Sequence, residues 1–122
     1  MYFPISDWLA AFLVTLAIEV PIVSYLFRRA QPDLLRLIVV IVFANLATHL
    51  GVWYVLTQLL LVRTPSYVAA AESWAIAAEA LIYWAAIRGL TAQRAVAAAV
   101  AANVTSFLVG RALLIFWPGF YR

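Results

Sequence analysis

Residues 8–27 read WLAAFLVTLAIEVPIVSYLF and run directly into Arg28-Arg29. These twenty residues carry one charge, Glu19. At ~1.5 Å per residue a helix of this length covers the roughly 30 Å hydrocarbon core of a bilayer. The arginine pair marks where it must leave hydrocarbon. This stretch decides the fold class, because nothing in it suits a surface helix of a water-soluble domain.

Three further stretches read the same way. The predicted spans are about 8–27, 34–62, 66–87 and 95–117, giving an all-α polytopic integral membrane protein with four transmembrane helices in an antiparallel bundle, a single membrane domain over residues 1–122. Gln31-Pro32-Asp33 supplies a turn and an acidic residue at the start of the second span, where the helix dipole favours negative charge. Thr64 is positioned to cap the third, with Pro65 at its first turn. Gly89 offers a left-handed stop, Thr91 a new cap, and Pro118-Gly119 ends the fourth span. The length of the second span predicts a tilted or projecting helix. No linker, second domain or clear repeat is visible.

Composition agrees. Of the 122 residues 68% are hydrophobic and 11% charged, against roughly 25% charged in soluble domains, and the mean hydropathy is +1.04. There is no cysteine, which excludes disulfides, thiolate metal sites and cysteine nucleophiles. All eight basic residues are arginine. In such a chain they set topology and touch acidic lipid head groups, and they are not read as nucleic-acid binding. The N-terminal residues lack the positive region of a signal peptide, so the first stretch is expected to be retained.

Arg28, Arg29 and Arg36 fall between spans one and two, Arg88 and Arg94 between three and four, and only Arg63 and Arg122 on the other side. The positive-inside rule then predicts both arginine-rich loops in the cytoplasm and both termini extracytoplasmic, with the cell (inner) membrane as the expected home. Tyr2, Phe3, Trp8, Phe116, Trp117, Phe120 and Tyr121 are expected as interfacial anchors on the outer side.

All three glutamates and the only histidine lie inside the apolar stretches. Ionisable groups there are costly, and they face a bundle interior or an aqueous path. Depth places Glu19, Asn45, His49, Glu79 and Asn103 in one midplane layer. Thr48 stands beside His49, Tyr83 one turn from Glu79, and Ser106 and Gly110 on the face of Asn103. Glu72 and Arg111 match in depth further out and are expected to form a structural ion pair. A central charge costs roughly 2.5–3.5 kcal/mol on the insertion scale, whereas each large aliphatic returns only ~0.3–0.6. Span three, mostly alanine around Glu72 and Glu79, must therefore be shielded by its neighbours or carry those groups protonated. Its small residues, and those opening span four, favour close helix approach. Pro21 frees a carbonyl near Ala17, read equally as a site-lining oxygen or as a tolerated bend.

Three functions fit these residues. Proton- or cation-coupled transport or permeation, as a homo-oligomer, uses intramembrane Glu and His as titrating groups. An intramembrane hydrolase would use a divalent metal held by His49, Glu19 and Glu79, or a glutamate activating water directly; no HExxH motif is present. A structural or assembly subunit of a larger membrane complex would use the polar groups to join helices. Three glutamates are a costly choice for that, because interhelical hydrogen bonds average only ~0.6 kcal/mol. Transport ranks first.

Overall fold

Asp33, Thr64 and Thr91 decide where three of the helices begin. Each stands in extended conformation and accepts a backbone N–H three residues on, from Arg36, Tyr67 and Arg94 respectively, at 3.2 Å. These bonds satisfy donors that the first turn leaves without a partner. The computed structural model describes residues 5–120, in an all-α four-helix packed bundle. Tyr2, Phe3, Tyr121 and Arg122 lie outside the described residues.

Helix α1 is Ile5–Phe27, α2 is Leu34–Leu59, α3 is Pro65–Ala86 and α4 is Ala92–Phe116. The second helix stops short of the expected Val62 and the fourth starts three residues before Ala95. Both shifts follow from capping: Leu60 turns extended after α2, and Thr91 sets the α4 start. Gly89 takes the left-handed conformation expected of it, with φ 74°, and Arg63 adopts a similar φ of 69° before Thr64. For Arg63 this is uncommon, since only glycine enters that region without a Cβ clash.

Three helices, α1, α2 and α4, are long and apolar enough to cross a membrane. At 22 residues α3 is long enough as well, but Glu72, Glu79 and its serines, tyrosines and tryptophans make its mean hydropathy lower than that of the other three.

Helix α2 is not uniform: Gly51–Leu56 winds as a π-helix. Such segments insert an extra residue in a turn and occur often at functional sites. The Trp74 indole lies against Gly51, where an added Cβ would meet Trp74 Nε1 at 2.6 Å. Pro21 sits inside an unbroken α1 and is exposed, as is Ala17. Two positions along a helix is about 200° of rotation, so Pro21 faces away from buried Glu19 and its freed carbonyl does not line the site.

Helices α1 and α3 each pack mainly on α2 and α4, so α1 and α3 face each other across the bundle axis. Alanines 95, 98, 99 and 102 of α4 are buried, with Ala80 of α3 and Ala44 of α2. Much of the small-residue surface is thus used within the chain, which lets the backbones close on the axis.

Candidate functional site

Glu19 and Glu79 come from the diagonal helices α1 and α3 and meet on the axis, 0% and 1% exposed. Their carboxyls are within hydrogen-bonding reach of each other. Glu79 Oε1 accepts from the Thr48 hydroxyl at 3.0 Å and Oε2 from the Asn103 amide at 2.7 Å. Glu19 Oε1 accepts from the Ser106 hydroxyl at 2.7 Å. The Asn45 amide lies beside Glu19, yet Glu19 Oε2 and Asn45 Oδ1 have no hydrogen-bond partner. Among the described residues no arginine or histidine forms an ion pair with either carboxyl.

Helix geometry explains how the polar groups are held. Asn45 Nδ2 donates to Ile41 O at 3.1 Å, and Asn103 Nδ2 to Ala99 O at 2.9 Å, each one turn back. Thr48 Oγ1 lies 3.0 Å from Asn45 O, and Ser106 Oγ lies 3.1 Å from Asn103 O, each three residues on. The two four-residue segments, Asn45-Leu-Ala-Thr48 and Asn103-Val-Thr-Ser106, are therefore built alike.

This likeness extends through the bundle and reveals a tandem repeat. Aligning the sequence of α1 with that of α3 equates Glu19 with Glu79, Ile22 with Ile82 and Arg28 with Arg88. Aligning α2 with α4 equates the caps Asp33 and Thr91, then Arg36 with Arg94, Asn45 with Asn103, and Thr48 with Ser106. Each hydroxyl reaches the glutamate of the other half. The site thus sits where two like helical hairpins meet, the arrangement of parallel repeats related by an axis along the bundle.

Each hydroxyl has a single hydrogen and two acceptors in reach. Facing a carboxylate, it donates to the carboxylate. Facing a protonated carboxyl, it can accept that proton's hydrogen bond and donate instead to the asparagine carbonyl. Each hydroxyl can thereby serve either charge state of the carboxyl oxygen it faces without moving a helix.

A cavity of about 160 Å³ leads from Glu79 and Asn103 past His49 to Glu72 and Trp53. At ~30 Å³ per water this accommodates about five waters. In the opposite direction the axis is packed solid: Val23, Phe27, Leu37, Ile41, Tyr83 and Ile87 are each at most 1% exposed. The Tyr83 ring meets Phe27 edge-on at 5.5 Å, and its hydroxyl, one turn from Glu79, has no partner.

Of the residues expected in one midplane layer, Glu19, Asn45, Glu79 and Asn103 come together. His49 does not join them. It is half-buried on the cavity wall, its ring edge-on to Phe12 at 5.3 Å, with Nδ1 buried and without a partner. The adjacent Thr48 takes the inward position. The candidate metal set of His49, Glu19 and Glu79 is not assembled, since among the described residues no three such side chains group as ligands. Nor does the expected Glu72–Arg111 pair form. Glu72 faces the cavity, and Arg111 is exposed. Arg111 lies about 140° around α4 from inward Ser106; depth matched but phase did not. Thr48 and Ser106 were not singled out as site residues, although each stands three residues after a buried asparagine.

No protein-family model, no curated protein and no solved structure matches the chain.

Proposed function

We propose that the chain is a four-span membrane transporter whose Glu19–Glu79 pair binds and releases a proton in exchange for a cationic solute. The observation that carries this is the pair itself: two fully buried carboxyls in reach of each other, held by hydroxyls and amides, with no cationic side chain among the described residues paired to them. Two such groups cannot both stay charged at short range, so the site calls for a proton or another cation. Intramembrane carboxyls of this kind mark ion and proton pathways.

In this reading α3 crosses the membrane with the other three. Its glutamates point to the axis and cavity, while Trp74, Leu81 and Trp84 are exposed for lipid. The arginine-rich end faces the cytoplasm and both termini lie outside. Glu72 stands at the mouth of the cavity, on the outer side, and draws cations toward the pair. On this orientation the packed layer around Tyr83 closes the cytoplasmic side, which supports access to the pair from outside. The hydroxyl and amide groups that hold the pair come from the same chain.

Proteoliposomes holding a pH-sensitive dye test this when outward gradients of alkali cations and small organic amines are imposed. The wild type should move protons inward against one of these cations, and Glu19→Gln and Glu79→Gln should each remove most of that flux. Unchanged flux in the double variant contradicts the reading.

A further inference from the structure

The arginine-rich end of the bundle carries two basic pockets that the tandem repeat relates to one another. One is lined by Arg36 and Arg88 with Gln31, Ala85 and Ala86, and has a volume of about 460 Å³. The other is lined by Arg94 and Arg28 with Arg29, Tyr25 and Leu26, and is about 260 Å³. Under the repeat, Arg36 corresponds to Arg94, Arg88 to Arg28, and Ala85-Ala86 to Tyr25-Leu26.

The two differ in what the arginines do. In the second pocket Arg28 donates to Tyr25 O at 2.7 Å and lies 3.8 Å over the Tyr25 ring, and Arg94 donates to Leu26 O at 3.3 Å. That pocket is satisfied from within. In the first, the guanidinium groups of Arg36 and Arg88 have no hydrogen bond or ion pair among the described residues. The one acid nearby, Asp33, accepts the Arg36 backbone N–H as the α2 cap.

The alanines have a second consequence. Ala85 and Ala86 also wall an apolar groove of about 400 Å³ between α2 and α3, lined by Val39, Val40, Phe43 and Ile82. A basic pocket and an apolar groove thus share a wall, with the groove running along the helices away from the charges. In the other half Tyr25 and Leu26 occupy the positions that the alanines leave open.

We propose that this composite site binds an anionic phospholipid, with its phosphate on Arg36 and Arg88 and one acyl chain in the groove along Phe43 and Ile82. Two guanidinium groups with free donors match phosphate oxygens in charge and geometry. The groove supplies what a free phosphate could not use. Each arginine near an anionic head group contributes about fivefold in affinity, so two should favour an anionic over a zwitterionic lipid by roughly thirtyfold.

Native mass spectrometry of the detergent-solubilised chain, titrated with phosphatidylglycerol, phosphatidylcholine and inorganic phosphate, tests this. One phosphatidylglycerol should bind per chain, with the stated preference over phosphatidylcholine. Arg36→Gln with Arg88→Gln should abolish the preference, while Arg28→Gln with Arg94→Gln should leave it intact. Ala85→Leu, an exposed position whose change leaves the charges in place, should weaken the lipid and spare inorganic phosphate. Equal affinity for the two lipids, equal loss in both arginine pairs, or lipid binding indifferent to Ala85→Leu would each overturn the proposal. None of these outcomes depends on transport.

Discussion

Glu19 of α1 and Glu79 of α3 occupy equivalent places in two like hairpins, and their carboxyls meet on the bundle axis. Around them the partners cross over: Thr48 of the first half donates to Glu79, and Ser106 of the second donates to Glu19. A polar pair buried at a repeat interface is thereby held from all four helices at once. Its consequences are measurable one residue at a time.

The crossing hydroxyls should both matter, Ser106 more than Thr48, because Glu79 keeps the Asn103 amide while Glu19 Oε1 loses its donor. Thr48→Val and Ser106→Ala each leave a buried carboxyl with one donor fewer, which costs about 1–3 kcal/mol when a group is left unsatisfied. Reversible unfolding in mixed micelles should report losses in that range for both. In transport, Thr48→Ser should behave as wild type, because it keeps the hydroxyl that serves both charge states.

Tyr83 offers the opposite case. Its hydroxyl is buried without a partner, so Tyr83→Phe removes an unsatisfied group and keeps the edge-on contact with Phe27. Stability should be unchanged or slightly higher. Tyr83→Ala should instead cost about 3–5 kcal/mol through the cavity it leaves, and should open the packed side to water. Proton leak through proteoliposomes containing Tyr83→Ala, absent with Tyr83→Phe, is the expected pair of results.

Gly51→Ala places a Cβ 2.6 Å from Trp74 Nε1 and 3.0 Å from Cε2. The indole must move, so the substitution should cost about 1–3 kcal/mol as an overpacked contact. Trp74→Ala should relieve most of that, and a double-mutant cycle gives the coupling. If the two substitutions are simply additive, the indole does not rest on Gly51 as described.

Because the chain has no cysteine, single-cysteine variants give a clean topology map. Cysteines at Arg29 and Gly89 should be shielded from a membrane-impermeant maleimide added to intact cells, and one at Pro65 should be labelled. Labelling at Arg29 from outside would reverse the orientation. Glu72→Gln, at the cavity mouth, should lower flux without abolishing it, since the pair itself is intact.

Much of the fold was legible because lipid-facing surfaces and flanking arginines are properties of composition. The starts at Asp33, Thr64 and Thr91 were legible because capping is local. The repeat was not, because the halves exchange bulk: Val23 stands opposite Tyr83 in the alignment, Leu37 opposite Ala95, and Ile41 opposite Ala99. Large residues in one half fill the space left by small ones in the other, so the axis packs while the sequences diverge. The glutamates, the asparagines, the hydroxyl residues and the flanking arginines kept their identity or type, as did a few apolar positions such as Ile22 and Ile82. Depth along a helix also proved easier to read than phase around it. Glu19, Asn45, Glu79 and Asn103 agree in both, whereas His49 and Arg111 agree in depth alone. The π-helix after His49 had no sequence signal beyond Gly51, whose meaning depends on Trp74.

An exchangeable proton on the Glu19–Glu79 pair would carry its own vibrational signature. Infrared difference spectroscopy of the reconstituted chain, in a Glu72→Gln background and with isotopically labelled glutamate, reads it without a transport assay. The expected result is a protonated-carboxyl band of glutamate at neutral pH that disappears in the Glu19→Gln, Glu79→Gln double variant. A wild-type spectrum with no such band, or a band that survives the double substitution, would rule the exchangeable proton out.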